Sequence, residues 1–474
     1  MTYLTETEIK AVFQAQQAHR ARMQRTTPAE RRALLRGFRA AFDARREAFI
    51  AAMHADLGKS RTEVEVTELH QVMEGLNHNL RQVERWMRPQ HVPGPMTMPG
   101  IRGEIVPQPK GTVLILGPWN YPITNLLSPF VDALSAGNTV ILKPSEKAPA
   151  TAQVIQELIE AVFEPHLVAV VQGDADTAAF LTHLPFDHIL FTGNTGVGQK
   201  VMQAAAGNLT PVTLELGGKS PVVIDRSADL SLAAQRTAWG KLMNAGQTCI
   251  APDYVLVPRE KQAQFVRHVR DAVQAMYGDP HTLRQNPDLG RIISAESVAR
   301  LRELVVGSLN LGATLNLGGE FDEQGKFITP TVLSNVTRAM PVMSQELFGP
   351  VLPILPYDDL QTALDDINRG PTPLALYAFG NGEATRFIQQ RTRSGGMVSN
   401  GVIIHITDHR LPFGGLGHSG MGHYHGEHGF RTFSHYRTVV HEGKNSITHL
   451  GHPPFGRPAA RAAGWFLRLT EKLP

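Results

Sequence analysis

The chain has 474 residues, enough for about three domains at ~150 residues each. Hydrophobic residues make up 42% of it and charged residues 19%, which supports a large core and excludes a disordered protein. Lys and Arg total 46 against 43 for Asp and Glu, and the net charge of +3, with no dense basic stripe, argues against nucleic-acid binding.

The first ninety or so residues have the composition and the spacing of helices. Apolar residues recur at helical intervals, for example at Leu34, Leu35, Phe38 and Phe42. A Pro- and Gly-rich break follows over residues 89–109. Because it is too long for an ordinary turn, it indicates a crossing between layers or an arm.

Short apolar strands then alternate with helices. Strands are predicted over residues 112–116, 140–142, 167–171 and 188–191, and a helical stretch follows each one. This alternation predicts a parallel sheet covered on both faces, which binds ligands outside the carboxyl ends of its strands. The motifs described below for this region lie at such ends.

A second alternating region begins at Pro221, with strands predicted over residues 222–224, 254–257 and 374–379. Residues 401–436 are rich in Gly and His, and the tail after Lys444 is basic with scattered apolar residues. No apolar run approaches the ~18 residues of a membrane span, and the polar N-terminus lacks the apolar core of a secretory signal. We therefore expect a cytoplasmic protein without a transmembrane anchor.

The chain has one cysteine, Cys249, in the sequence Gly-Gln-Thr-Cys-Ile at 246–250. A single cysteine excludes an internal disulfide framework and a zinc site built from several Cys, and it fits a reducing compartment. A lone thiol is ordinarily a small buried hydrophobe. Here Gly246 and two polar residues place it on a turn after a helix, where it could act as a nucleophile beside a base and oxyanion donors.

Two polar residues at strand ends are candidate partners for this thiol. Glu215 interrupts an apolar strand just before paired glycines, and burial there would raise its pKa towards the range of a general base. The alternative is that Glu215 faces the solvent from an edge strand. Asn120, between Trp119 and Tyr121, could offer its amide to a developing oxyanion, although Asn is also an ordinary turn residue.

A glycine-containing loop and a Lys-Glu pair form the candidate nucleotide site. The loop Phe-Thr-Gly-Asn-Thr-Gly-Val-Gly at 191–198 would let the backbone approach a pyrophosphate at an electropositive helix N-terminus. Alone it is a weak signal, because it is not the usual dinucleotide fingerprint. Lys143 and Glu146 follow another strand of the same sheet, where they suit ribose hydroxyls and Glu146 disfavours a 2′-phosphate.

Taken in order, these motifs resemble the motif set of the aldehyde dehydrogenase superfamily. The resemblance rests on residues 117–122, 143–146, 191–198, 214–221 and 246–249 and on Glu-Leu-Phe-Gly-Pro at 346–350. The strings at 244–254 and 411–433 most resemble its class 3 branch, which includes fatty aldehyde and bacterial coniferyl aldehyde dehydrogenases.

The resemblance implies oxidation of aldehydes to carboxylic acids with NAD, or alternatively NADP. Cys249 would add to the aldehyde, the Asn120 amide and the Cys249 backbone N–H would hold the oxyanion, and Glu215 would activate the water that hydrolyses the thioester. The cofactor would contact Lys143 and Glu146 at the adenosine ribose, Gly193, Asn194, Thr195, Gly196, Val197 and Gly198 at the pyrophosphate, and Glu346 and Phe348 at the nicotinamide ribose.

The resemblance also implies an α/β, aldehyde dehydrogenase-like fold. A Rossmann-like cofactor domain would span residues 1–88 and 113–216, and an α/β catalytic domain residues 217–402. A small β bridging and oligomerisation arm would comprise residues 89–112 and 403–440, followed by a tail at 441–474. In this family such an arm builds a homodimer.

The predicted substrate tunnel is large, apolar and aromatic, which favours medium- or long-chain aliphatic or aromatic aldehydes, with coniferyl aldehyde as one example. Trp239 and Met243 lie four positions apart on a helix, so they could instead be core residues. By resemblance the tunnel would be lined by Tyr121, Trp239, Met243 and Phe413, with Ile406 and Thr407 near its mouth.

Seven histidines fall between positions 405 and 435, and three of them have spacing that could hold a metal: His423, His425 and His428. Only Glu427 accompanies them in a glycine-rich loop, and clustered histidines are usually unligated, so we expect no metal site.

Two other functions remain open. An acylating dehydrogenase would pass the thioester to coenzyme A, but Glu215 argues against it because an activated water would hydrolyse the thioester first. A structural or binding protein without catalysis could use the same scaffold, but the presence of Cys249, Glu215 and Asn120 argues against that.

Overall fold

The computed structural model describes residues 3–95 and 97–471, in which helices and strands alternate over most of the chain after an N-terminal set of helices. The α-helices are α1 (Glu6–Gln24), α2 (Pro28–Ala44), α3 (Arg46–Leu57), α4 (Arg61–Val64), α5 (His70–Trp86), α6 (Thr124–Ala136), α7 (Pro149–Glu160), α8 (Ala175–Thr182), α9 (Thr195–Ala206), α10 (Leu230–Leu242), α11 (Gln262–Tyr277), α12 (Ala295–Asn310), α13 (Leu360–Arg369), α14 (Gly382–Arg391), α15 (Gly426–Thr432) and α16 (Pro458–Thr470). The strands are β1 (Gln90–Pro93), β2 (Ile101–Pro109), β3 (Thr112–Leu116), β4 (Thr139–Lys143), β5 (Val168–Val170), β6 (His188–Gly193), β7 (Val212–Leu216), β8 (Pro221–Ile224), β9 (Tyr254–Pro258), β10 (Thr314–Leu317), β11 (Phe321–Asp322), β12 (Phe327–Ile328), β13 (Thr331–Ser334), β14 (Val351–Tyr357), β15 (Ala375–Phe379), β16 (Gly396–Ser399), β17 (Gly420–Met421) and β18 (Ser434–Glu442).

The first sheet has the strand order β17-β7-β6-β3-β4-β5. Its strands are parallel apart from β17, which pairs antiparallel with β7. Every residue of β3 and β4 is buried, because helices cover both faces and β-branched or aliphatic side chains fill the space between them. The α/β class predicted from the sequence is thereby confirmed.

The second sheet has the order β10-β13-β14-β9-β8-β15-β16. It is parallel except for β10 at one edge. The residues of β8, β9 and β15 are all buried. The chain passes from the first sheet to the second between β7 and β8, so residues after both strands can meet in one place.

A three-stranded antiparallel sheet is formed by β1, β2 and β18. It contains residues from both segments of the predicted arm, but the last strand continues to Glu442, two residues beyond the predicted boundary at 440. Residues 403–440 are also divided between sheets, because β17 joins the first sheet. A side chain on Gly420 would overlap the carbonyl of Leu214, so only glycine permits this pairing.

The N-terminal helices pack around the first sheet. Thr5 and Thr27 begin α1 and α2 with capping boxes, in which a threonine hydroxyl and a glutamate three residues later satisfy the first backbone N–H groups. A π-helical turn, Glu65–Leu69, joins α4 to α5. Residues 441–471 lead into α16, on which Trp465 is 67% exposed; residues 472–474 of the predicted tail lie outside the described residues.

Across residues 3–95 and 97–471, no helix combines the length and the apolar character needed to cross a bilayer.

Gly429 is a position where packing leaves no room for a side chain. A Cβ there would overlap the buried carboxylate of Asp132, which accepts hydrogen bonds from the Asn79 amide (2.8 Å) and the His425 N–H (3.2 Å). We expect Gly429→Ala to lower the free energy of unfolding by about 1–3 kcal/mol, measured by urea denaturation. Gly464→Ala is the control, since nothing lies within 4 Å of its Cβ. Equal stability of the two variants would contradict this packing.

Candidate active site

Cys249 lies after a tight left-handed turn at the end of α10. Asn244 and Ala245 both have φ of 51°, and Gly246 has φ of 77°. Left-handed backbone is unfavourable for residues with a Cβ, so the surrounding contacts must impose this turn. The turn brings Cys249 to a half-buried position, packed against the main core cluster.

Hydrogen bonds join this turn to the Asn120 segment. The Asn120 side-chain amide donates to the Gln247 carbonyl (3.0 Å), two residues before Cys249. The Gln247 side chain accepts from the Ile293 N–H (2.9 Å), and the Asn244 side-chain amide donates to the Asn120 carbonyl (2.9 Å). The nucleophile candidate and the amide candidate, 129 positions apart, therefore belong to one bonded unit.

Glu215 is the penultimate residue of β7 and is 1% exposed. Neither carboxylate oxygen has a hydrogen-bond partner of good geometry within the described part of the chain, although the Cys249 thiol is close enough to affect its pKa. Burial raises the pKa of Glu215 to about 8, and interaction with Cys249 offsets part of the rise. This agrees with the sequence-based expectation and excludes the alternative of a surface glutamate.

The Cys249 thiol is held in its neutral form. Burial raises its pKa well above the ordinary value, and the nearby carboxyl groups of Glu215 and Glu346 raise it further. A neutral thiol is a poor nucleophile, so it needs a proton acceptor when a substrate arrives. Glu215 can accept this proton, because its carboxylate oxygens lack a hydrogen-bond partner of good geometry among the described residues.

The predicted pyrophosphate loop follows β6. Asn194 caps α9, and its side-chain oxygen accepts from the Val197 N–H (3.0 Å), while the Thr195 hydroxyl donates to the His418 carbonyl (3.2 Å). Gly198 packs α9 closely on the sheet, since a Cβ there would lie 2.7 Å from Leu216. The helix N-terminus at Gly193, Thr195 and Gly196 suits a phosphate group.

Lys143 and Glu146 lie at the carboxyl end of β4, the neighbour of β3. The Lys143 ammonium is buried and contacts the Glu146 carboxylate at 3.1 Å, while Glu146 itself is exposed. The pair can therefore accept and donate hydrogen bonds to a diol from one edge of the cleft.

Glu346 and Phe348 approach the site from the second sheet. A Cβ on Gly217 would overlap the Glu346 carboxylate, so the glycine after β7 makes room for it. Burial raises the pKa of Glu346 to about 8, and Asp253 adds to the rise. The Phe348 ring meets Trp119 edge-on, with centroids 5.4 Å apart.

The predicted tunnel residues do not share one environment. Tyr121 is buried, with its hydroxyl 2.9 Å from that of Thr248, and Phe413 is 3% exposed. Met243 and Ile406 are half-buried and pack against the same core cluster as Cys249. Thr407 is exposed, and Trp239 is 40% exposed, which argues against the core alternative for Trp239.

The histidines of the Gly- and His-rich segment also lie in separate environments. His423 and His428 have ring centroids 5.4 Å apart, whereas the buried His425 stacks on Phe413. Among the residues that the structure describes, no group of three or more His, Cys, Asp or Glu side chains could hold a metal ion.

Several residues at the site were missed by the sequence analysis. Tyr424 is buried near Glu215 and Cys249. Burial raises the pKa of Tyr424, and these two groups raise it further. Glu63, Lys59 and Glu68 reach the site from the N-terminal helices. Tyr424 pairs with Phe413 in an isolated bridge, which leaves no periodic signal in the sequence. Lys59, Glu63 and Glu68 lie in a polar stretch of the chain, where further charged residues do not stand out.

A family model described as "Aldehyde dehydrogenase family" matches residues 1–439. The chain belongs to the aldehyde dehydrogenase family. Its enzymes oxidise aldehydes to carboxylic acids with a nicotinamide cofactor, and the predicted enzyme class is confirmed.

Similar proteins support the same family and its class 3 branch. Aldehyde dehydrogenase family 3 member A2 of Macaca fascicularis is 41% identical over 94% of this chain and 90% of that protein. A Pseudomonas aeruginosa protein named "Probable coniferyl aldehyde dehydrogenase" is 39% identical over 95% and 94%.

Two solved structures have the same fold. The substrate-bound state of Staphylococcus aureus AldH has a TM-score of 0.92 and 35% identity, covering 97% of this chain and 99% of that one. Mycobacterium tuberculosis aldehyde dehydrogenase complexed with NAD+ has a TM-score of 0.85 and 27% identity, covering 94% and 92%.

The coupling of the two groups predicts a change in thiol reactivity. In Glu215→Gln, loss of the neighbouring carboxyl group should lower the pKa of Cys249, so the pH profile of alkylation by iodoacetamide should move to lower pH. Mass spectrometry reports this site alone because the chain has one cysteine.

Glu157→Gln is the matched control, because Glu157 is exposed on α7. It should leave the alkylation profile unchanged. Coincident profiles for the wild type and Glu215→Gln would show that the carboxyl group and the thiol do not interact.

Proposed function

We propose that Cys249 attacks the aldehyde carbonyl and forms a thiohemiacetal, with Glu215 accepting the thiol proton. The Asn120 amide and the Cys249 backbone N–H hold the oxyanion. NAD, when bound, would supply the hydride acceptor, held by Lys143 and Glu146, the N-terminus of α9, and Glu346 with Phe348; loss of the hydride leaves a thioester on Cys249. Glu215 releases the thiol proton to solvent and then takes a proton from the water that hydrolyses the thioester. This proton returns to the Cys249 sulfur as the carboxylic acid leaves.

One observation carries this proposal: a buried glutamate, whose oxygens have no hydrogen-bond partner of good geometry among the described residues, lies beside the chain's single thiol. Burying a carboxyl group without such partners is costly. Its raised pKa, about 8, allows it to accept a proton near neutral pH and to release it again.

For the cofactor we propose NAD in preference to NADP. The relative from Mycobacterium tuberculosis is described in complex with NAD+, which shows that the family scaffold accepts it. In this chain the exposed Glu146 carboxylate beside Lys143 would repel a 2′-phosphate while accepting hydrogen bonds from ribose hydroxyls. The N-terminus of α9 would hold the pyrophosphate, and Glu346 and Phe348 the nicotinamide ribose.

For the substrate we propose medium- or long-chain aliphatic or aromatic aldehydes. Tyr121, Phe413, Met243 and Ile406 offer apolar and aromatic surface near Cys249, and the exposed Trp239 could extend it towards solvent. The name of the Pseudomonas aeruginosa relative includes coniferyl aldehyde, an aromatic substrate of this kind.

The second candidate function, transfer of the acyl group to coenzyme A, is disfavoured by the position of Glu215. A base beside the thioester sulfur promotes attack by water. We therefore propose hydrolysis as the second half-reaction.

We also propose that the first sheet belongs to the cofactor domain and the second to the catalytic domain, with the three-stranded sheet as a dimerisation arm. Val92 and Val440 of that small sheet are 43% and 59% exposed. Apolar side chains on a small exposed sheet suit contact with a second copy of the chain.

Glu215→Gln should trap the acyl-enzyme. With an aromatic aldehyde and NAD, we expect one equivalent of NADH to form per subunit, because loss of the carboxyl group lowers the pKa of Cys249 and lets the thiol ionise to solvent. The steady-state rate should then be lowered by about 100-fold or more because general-base catalysis of thioester hydrolysis is lost. Intact-mass measurement should show the acyl group on Cys249.

Cys249→Ala is the control and should produce no NADH while still binding NAD. Addition of coenzyme A tests the alternative function: a faster wild-type steady state with an acyl-coenzyme A product would contradict hydrolysis. Normal turnover of Glu215→Gln without a trapped thioester would remove Glu215 from the mechanism.

Glu146→Gln should raise the ratio of kcat/KM for NADP to that for NAD by about fivefold to tenfold, since an exposed charge contact is worth about 1 kcal/mol. The exposed Glu160 gives the matched control Glu160→Gln, which should leave the ratio unchanged. An unchanged ratio in Glu146→Gln would show that this carboxylate does not read the 2′ position.

A further inference from the structure

An ion pair is buried directly beneath the Asn120 segment. The Lys59 ammonium lies 3.1 Å from the Glu68 carboxylate, and both side chains are 0% exposed. Placing two charges in the interior is costly, and apolar residues of the same volume are often equally stabilising. The presence of the pair therefore indicates a role other than stabilising the fold.

The ion pair holds the segment that begins at Asn120. The Lys59 ammonium donates to the Asn120 carbonyl (3.2 Å) and lies 3.8 Å from the centre of the Tyr121 ring. The second Glu68 oxygen accepts from the Thr124 N–H (2.8 Å) at the start of α6. Both ends of the turn that carries Asn120 are thus attached to one pair of side chains.

The same turn is attached to the backbone of the π-helical turn Glu65–Leu69. The Thr124 hydroxyl lies 2.9 Å from the Glu68 carbonyl and 3.3 Å from that of Thr67. A π-helical turn adds a residue to the helix and exposes carbonyls that a regular α-helix would satisfy itself. Its position here allows contacts that α4 and α5 alone would not make.

A neighbouring acidic residue holds the nucleophile turn. The half-buried Glu63 carboxylate accepts from the Asn244 N–H (2.6 Å), in the strained left-handed turn before Cys249. The Asn244 side chain in turn donates to the Asn120 carbonyl. Residues 59–68 therefore contact both Asn120 and the turn that carries Cys249.

We propose that Lys59 and Glu68 are positioning residues that fix the Asn120 amide relative to Cys249. The Asn120 carbonyl accepts from two buried donors, Lys59 and Asn244, which leave its backbone little freedom to rotate. The inference rests on the proposed role of Asn120 as an oxyanion donor. Displacement by about 1 Å is enough to weaken such a donor severely.

The double variant Lys59→Met/Glu68→Gln tests the proposal in the full chain. It removes both charges while keeping side-chain volume, so the fold should be retained. With enzyme in excess over an aromatic aldehyde, the single-turnover rate of NADH formation should fall by about 10- to 100-fold. NAD affinity should be unchanged, because neither residue reaches the proposed cofactor groups.

A mutant cycle with Asn120→Ala separates positioning from general stability. Asn120→Ala alone should slow the single turnover by about 100- to 1,000-fold. If Lys59 and Glu68 act through Asn120, the triple variant should be no slower than Asn120→Ala. A triple variant slowed by the product of the two effects would overturn the proposal.

Arg31→Met is the matched control for loss of a buried cation. Arg31 donates to the Ser135 and Ala136 carbonyls (3.0 and 2.7 Å) at the opposite end of α6. It should lower the melting temperature but leave the single-turnover rate of the folded enzyme unchanged. A rate loss equal to that of the double variant would make the Lys59 effect merely structural and overturn the proposal.

If the double variant does not fold, Glu68→Gln alone carries the test, since its amide oxygen can still accept from Thr124. A single turnover slowed about tenfold supports the inference, and a wild-type rate overturns it. Failure of the proposed function is recognised separately: Asn120→Ala would then react at the wild-type rate. A slow Asn120→Ala beside a fully active Lys59→Met/Glu68→Gln refutes the positioning role alone.

Discussion

The placement of an ionisable side chain in the interior of β7 is the constraint around which the site is organised. A carboxyl group without hydrogen-bond partners costs free energy whether it is neutral or charged, and more when charged. The chain offsets this cost through an extensively packed core in both large sheets. It also brings Cys249 and Glu346 close to this side chain, so that both carboxyl groups add to the rise that burial causes in the pKa of the thiol.

Glycine positions make this crowding possible. Gly217 gives space to the Glu346 carboxylate, and Gly420 lets β17 pair with β7 beside Glu215. Gly217, Glu346 and Gly420 come from separate parts of the chain. The site is consequently a property of the whole fold, and no single segment contains it.

The strands β3 to β6 of the first sheet and β8, β9 and β15 of the second could be predicted because most of their residues are apolar and buried, which leaves a clear sequence pattern. The strands β10, β13, β14 and β16 of the second sheet were not predicted. The catalytic candidates were found because Glu215 breaks such a pattern and Cys249 is unique. The left-handed turn could not be predicted, since Ala245 is not a residue that favours positive φ. Lys59 and Glu68 belong to residue types that are usually exposed, and only the tertiary structure shows them buried.

The presence of a single cysteine has a consequence for the enzyme under oxidative stress. A sulfenic acid formed on Cys249 has no second cysteine in the chain with which to form a protective disulfide, so repair depends on small thiols from outside. Peroxides attack thiolates far faster than thiols. By keeping the resting sulfur protonated, burial and the two neighbouring carboxyl groups shield it between turnovers.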